Sequence, residues 1–294
     1  MSAATLSALA AGRAIAGYAL RESLRRRILG VVGALTALFL VLFALGAHFA
    51  FEDSGRVGSE LSTDGSGFAD YRGATLLGLA MFATLFLGAV LATFLTLGVV
   101  RGDAEVGLLQ SLLVRPVSRR TILVARLAAA TMIGSAYVAG VFAISIGITA
   151  LFGGYTPDNP IAVTLLLVLA VIAITAISLL ASVFLSGTAQ GITVLMIYGS
   201  GLTAGLLGQI GDALRAETLV NISRVTSWGL PFEALYQQAL YMMSADRSAI
   251  SKAVLGLGPF GGAVHSGPAL YPFVVAYLIA MIAFAAFAFE RRDI

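Results

Sequence analysis

Six stretches of this sequence contain no Asp, Glu, Lys or Arg over a length that can cross a bilayer: 28–51, 74–100, 127–152, 161–185, 192–210 and 271–289. A helical span requires roughly 20 predominantly apolar residues. The pattern therefore predicts an all-α polytopic membrane protein, with six transmembrane helices in a single domain over 1–294. Three polar regions stand out between and before the spans: an N-terminal segment at 1–27, a basic segment at 101–126 and a long segment at 211–270. Within the first, 4–24 reads as an interfacial helix, with Arg13, Arg21 and Arg25 able to reach water while their stems stay in the apolar layer. It does not read as a cleaved signal peptide, because its Arg cluster follows the apolar stretch instead of preceding it. Composition points the same way, with 59% hydrophobic and 11% charged residues, against about a quarter charged in an ordinary soluble chain.

Arg and Lys set the expected orientation. With the N-terminus in the cytoplasm, the inner segments hold 12 basic residues and the longer outer segments hold 6. Both termini are thus expected to be cytoplasmic, in the cell membrane. Topology also accounts for the net charge of +3. The arginines mark membrane edges and form no continuous basic face, so no nucleic-acid partner is expected. The first outer loop, 52–73, carries Glu52, Asp53, Glu60, Asp64 and Asp70 at a spacing that fits no calcium loop, and reads as solvated surface.

The segment 101–126, RGDAEVGLLQSLLVRPVSRRTILVAR, is the most structured of the polar regions. Asp103 suits an N-cap, and Val106, Leu109 and Leu113 then recur at helical spacing. Pro116 ends that helix, since residues before a proline avoid the α region, and Ser118 can cap the next one. A short amphipathic helix at 103–113, a proline break and a new membrane helix follow. Two readings stand at this level: a docking element for a soluble partner, or an interfacial helix that only anchors the loop.

The pattern Glu105-x-Gly107-x-Leu109, followed by Leu112-Leu113-x-Arg115-Pro116-Val117-Ser118-Arg119, resembles the segment between the second and third spans of ABC-2 type permeases, the membrane subunits of a class of ABC transporters. The ending Phe289-Glu290-Arg291-Arg292-Asp293-Ile294 is similar to that family's C-terminus, and Arg21–Arg27 before the first span fits its start. One departure is Leu108, where many members carry threonine. The resemblance implies an exporter permease that works as a pair, with a second copy of itself or a similar permease, and is driven by a separate ATP-binding subunit. ATP and Mg would belong to that partner. It further implies polar contacts to the ATPase from Arg101, Asp103 and Glu105, with Leu109 and Leu113 in its groove. Arg115 and Arg119 would meet acidic residues or lipid phosphates, and Pro116 would pass the motion on to the third span.

In the segment 211–270, Pro231 suits the first turn of a helix. Phe232, Leu235, Tyr236, Ala239, Leu240 and Met243 then form an apolar stripe, with Glu233, Gln237 and Gln238 opposite. Twelve residues make a helix about 18 Å long, too short to span, so it is expected to lie in the outer interface or to dip in and return. In the resembling family such helices cap the outer end of the substrate path, which makes Pro231, Phe232 and Tyr236 candidate gate residues. Gly201-x-x-x-Gly205 permits close helix approach, and fits a dimer contact and packing within one subunit equally. Gly187-x-x-x-Gly191 is expected mainly in a short turn.

Several chemistries are missing from the sequence. The single lysine, Lys252, precedes an alanine, so no phosphate-binding loop of the G-x-x-x-x-G-K-[ST] type exists. With no cysteine there is no thiol chemistry, and His48 and His265 form no paired metal-ligand motif. No ionisable residue is expected inside a span, which argues against a proton-coupled transporter. Hydroxyls such as Ser145, Thr175, Ser178 and Ser182 are expected to bond back to their own helices. The alternative is an ion-coupled transporter or channel without an ATPase partner, which a span broken at the midplane would favour. The purified chain alone is predicted neither to bind nor to hydrolyse ATP. A nucleotide-dependent thermal shift at micromolar ATP would contradict this.

Overall fold

The computed structural model describes residues 17, 27–52, 65–97, 119–244 and 264–291. Among them are eight helices of note and no strand: α1 Arg27–Glu52, α2 Gly65–Thr96, α3 Arg119–Gly153, α4 Pro160–Phe184, α5 Gly187–Leu214, α6 Glu217–Gly229, α7 Pro231–Ser244 and α8 Leu270–Glu290. Six of them, α1 to α5 and α8, are long and apolar enough to cross a membrane. Their ends pair consistently. At the end where α8 finishes, Arg120 and Glu290 form a bidentate ion pair, Nη2 donating to Oε2 at 2.6 Å and Nε to Oε1. At the opposite end, Arg72 Nη1 donates to the Ala50 carbonyl at 2.7 Å. These are called below the terminal end and the hairpin end.

The centre is α4, which packs against α2, α3, α5, α7 and α8. Its sequence explains this position. Pro160 suits its first turn, and the rest is apolar all round, as a helix without a polar face must be when buried. Leu167, Ala170, Val171 and Ala173 are fully buried in the main core with Leu77, Met81, Leu85 and Phe142. A smaller core at the terminal end joins Leu123, Leu179, Val183 and Phe289. By contrast, Val31, Leu38, Val41, Leu42 and Phe49 of α1 are exposed, as lipid-facing side chains are.

Two expectations change here. The segment 186–191 is not a turn: α5 begins at Gly187, so Gly187 and Gly191 sit in its first turns and face Leu97, just past the end of α2. Ser178 also departs from back-bonding. Ser145, Thr175 and Ser182 do bond back, to Val141, Val171 and Leu179. Ser178 Oγ instead lies 2.6 Å from Thr96 Oγ1 on α2. Gln190 of α5 completes the link, its amide donating to the Thr96 carbonyl at 3.1 Å and the Ser178 carbonyl at 3.0 Å. All three residues are buried. An interior amide meets its hydrogen-bonding need across helices when no carbonyl of its own helix is free, and so ties α2, α4 and α5 together.

Gln190→Leu should therefore destabilise the bundle by about 1 kcal/mol, between the small bilayer average for such bonds and the cost of leaving buried polar groups unmet. Unfolding in mixed micelles against SDS fraction measures this. A variant as stable as wild type would show that the network holds nothing.

Candidate functional site

Of the two placements expected for the short helix, the outer interface or a dip that returns, the structure has it inside the bundle. α5 ends in a reversal at Arg215, whose φ of 53° is the one positive value outside glycine among the described residues. α6 then returns along α5. A Cβ built on Gly211 meets Leu219 and Val220, one on Gly208 lies 3.1 Å from Ser223 Cβ, and one on Gly201 lies 3.6 Å from Leu230. These partners run in opposite order along the two helices, so α6 is antiparallel to α5. Its buried residues are Ser223 and Ser227, four apart and small, the spacing that lets helices approach closely. The turn at Leu230–Pro231 comes beside Gly201, about 20 Å from either end of α5 at 1.5 Å per residue. α7 starts there and climbs back, Ser266 N donating to Gln238 Oε1 at 2.8 Å near its far end. The pair α6–α7 is a re-entrant hairpin with its tip at mid-depth.

Pro231, Phe232 and Tyr236, the candidate gate residues, all belong to α7. Phe232 and Tyr236 are buried, and Phe232 stacks on Tyr198 of α5 at 5.7 Å between ring centroids. Gly201 and Gly205 face this hairpin within the one chain. A side chain at Gly201 would come within 2.7 Å of the Phe232 ring, and one at Gly205 would collide with Glu233 Oε1. Glycine is required at both because Phe232 and Glu233 occupy the space a Cβ would take.

The polar side of α7 is interior as well. Glu233, Gln237 and Gln238 are 1%, 5% and 4% exposed, so α7 is buried on every side. Glu233 lies on α7, outside the six uncharged runs read as spans, and is buried in the bundle. Gln237 Nε2 donates to Glu233 Oε1 at 3.1 Å. Glu233 Oε2 and the hydroxyls of Tyr198 and Tyr236 have no hydrogen-bond partner among the described residues. Desolvation without a cation favours the neutral acid.

Sequence reasoning missed Glu233 because an acid opposite an apolar stripe ordinarily faces water. The signals for burial were present: Gly201 and Gly205 at a four-residue spacing, Ser223 and Ser227 likewise, and amides instead of Lys or Arg on the polar side of α7. At the hairpin mouth, a cleft of about 490 Å³ is lined by Asp212, Arg215, Glu217, Asn221 and Arg224 among others.

Of the residues expected to dock a partner, Arg101, Asp103, Glu105, Leu109, Leu113, Arg115 and Pro116 lie outside the described residues. Arg119 opens α3, which runs unbroken through the third span. On either side of that segment in the sequence, Thr96 belongs to the network with Ser178 and Gln190, and Arg120 to the ion pair with Glu290. Among the described residues no group of three or more His, Cys, Asp or Glu could hold a metal.

Six helices long and apolar enough to cross a membrane make this a polytopic membrane protein. The family model for ABC-2 family transporter proteins matches residues 13–294. The chain belongs to that family and is the membrane part of an ABC transporter. Comparison with curated proteins gave no match.

Proposed function

We propose that the chain is the permease subunit of an ATP-driven exporter in the plasma membrane, with both termini cytoplasmic. It pairs with a second copy or a similar permease and is driven by a separate ATP-binding subunit that holds ATP and Mg. The observation that carries this reading is the family match over 13–294. The ATPase closes on ATP and pushes on the helix at 103–113. Arg101, Asp103 and Glu105 make its polar contacts, and Leu109 and Leu113 its apolar ones. Arg115 and Arg119 engage acidic residues or lipid phosphates. Pro116 leads the push into α3, whose continuity from Arg119 to Gly153 supports transmission by a rigid rod. The Arg120–Glu290 pair would carry the same push to α8. Such a push shifts the bundle only if the docking contact differs between its two states.

At the far end, Pro231, Phe232 and Tyr236 form the outer gate on the path between two permeases. The apolar lining suits an amphipathic or hydrophobic substrate. A second reading, ion-coupled transport without an ATPase, draws support from one observation: a buried carboxyl and a helix N-terminus at mid-depth, arrangements found in ion-coupled carriers.

Glu105→Arg is expected to uncouple transport and leave the fold intact. Its loss at a helix start is worth only about 0.3–1 kcal/mol, whereas like charges brought together at an interface cost several kcal/mol. Assembly with the ATPase, or substrate-stimulated ATP hydrolysis, should fall at least about tenfold, while expression and monodispersity stay near wild type. Leu109→Asp should do the same by removing an apolar anchor. If both variants assemble and transport normally, the segment is an interfacial loop and the ion-coupled reading becomes the better one.

A further inference from the structure

We propose that Glu233 is a proton site that latches the re-entrant hairpin: α7 sits in the bundle with one proton on this carboxyl and releases it when the helix leaves its seat. Four observations on the geometry support this. The carboxyl is 1% exposed, at the tip of a hairpin that reaches mid-depth. Its Oε1 is held by the Gln237 amide and wedged against Gly205, which leaves no room there for even a methyl group. Its Oε2 has no partner, and the nearby hydroxyls of Tyr198 and Tyr236 have none either among the described residues. Among the described residues, the groups acting on it are therefore a neutral amide and two neutral phenols. A carboxylate held this way would lack the pairing that a buried charge needs, whereas the acid form is uncharged.

Among the described residues, the elements packed around α7 bring no cation to it. α4 has no ionisable residue. α5 contributes Tyr198 at this level, and its Asp212 and Arg215 line the mouth cleft with Glu217 and Arg224 of α6. α8 contributes Tyr271 and Tyr277. Arg72 of α2 is bonded to the Ala50 carbonyl at the hairpin end. His265 stacks on Tyr241, at the other end of α7 from Glu233.

The sign of the effect follows from linkage. In the open hairpin the carboxyl meets water and titrates in the ordinary carboxyl range, while in the seat burial without a cation makes it hold its proton to higher pH, which opens a pH window between the two. Below that window both states are protonated, and above it both are ionised. Within it, opening releases one proton, so the opening constant rises tenfold per pH unit. If the hairpin is the outer gate, which rests on the reading above, alkaline pH on that side favours opening and acid pH favours the closed state. The opening step itself does not depend on that reading.

Hydrogen exchange of the α7 amides in the full-length chain, held in lipid nanodiscs without any ATPase, tests this directly. Amide chemistry alone gives a tenfold rate increase per pH unit. A proton-latched hairpin adds a second tenfold, so the logarithm of the rate should climb with a slope of two over a pH window that begins above the ordinary carboxyl range. Glu233→Gln, which copies the neutral acid, should return the slope to one at every pH. Gln237→Met keeps the carboxyl and removes its donor, so it should move the upper limit of the steep window to higher pH. His265→Gln should leave the steep window in place. A slope of one in the wild type would overturn the proposal, as would a steep window retained in Glu233→Gln or lost in His265→Gln. A steep region that moves with sodium concentration at fixed pH would assign the site to a metal cation and overturn it as well. An unshifted window in Gln237→Met would contradict it even if Glu233→Gln failed to fold. None of these results depends on an ATPase, so they are distinct from a failure of the docking segment.

Discussion

The close approach of α7 to α5 governs the hairpin half of this bundle. Phe232 and Glu233 occupy the volume that side chains at Gly201 and Gly205 would fill. With that space available, a helix too short to span the bilayer can reach mid-depth and turn back inside protein. Non-spanning backbone is tolerated at that depth only when it is buried in protein or lines a cavity. The hairpin meets this condition by packing α6 on α5 through small residues and burying α7 against α4. The polar side chains of α7 are then committed to the interior, and Gln237 and Gln238 find partners there. Glu233 is satisfied on one oxygen only.

The terminal half is built on a different interaction. Gln190 bonds the last turn of α2 to α4 at the depth where α2 gives way to the segment at 98–118. Arg120 and Glu290 join the start of α3 to the end of α8 at the exposed surface. An exposed ion pair of this kind contributes little to stability; its effect is geometric, since it makes the first turn of α3 and the last turn of α8 move together. The two halves share α4 and α5. A displacement at the terminal end therefore reaches the hairpin through the same two helices that seat Phe232 and Glu233, which gives the proposed mechanical coupling a continuous physical route.

Much of this architecture was legible in the sequence. Uncharged runs identified six membrane helices because charge inside a bilayer is costly and the chain avoids it there. Pro231 marked a helix start because its fixed φ and missing N–H suit a first turn. The family was readable from short motifs at 105–119 and 289–294, and the family match over 13–294 bears it out. What escaped was tertiary. An apolar stripe opposed by Glu233, Gln237 and Gln238 has the pattern of a surface helix, and only the glycines on a helix distant in sequence reveal that the polar side is buried too. Ser178 was read as an isolated hydroxyl because its partners, Thr96 and Gln190, lie in other helices. Periodicity along one helix records which face is apolar, but not whether the polar face meets water or another helix.

The central claim is that the segment after α5 folds back along it into the membrane. The cysteine-free chain allows a direct measurement, because a Cβ built on Gly208 lies 3.1 Å from Ser223 Cβ. That is close to the separation of about 3.5–4.5 Å that a disulfide spans. In the variant carrying Gly208→Cys and Ser223→Cys, mild oxidation of membranes should form an intramolecular disulfide in nearly all molecules, leaving no thiol to label after denaturation. Two free, labelled thiols after oxidation would mean that α6 does not lie against α5, and would remove the seat on which the hairpin and its buried carboxyl depend.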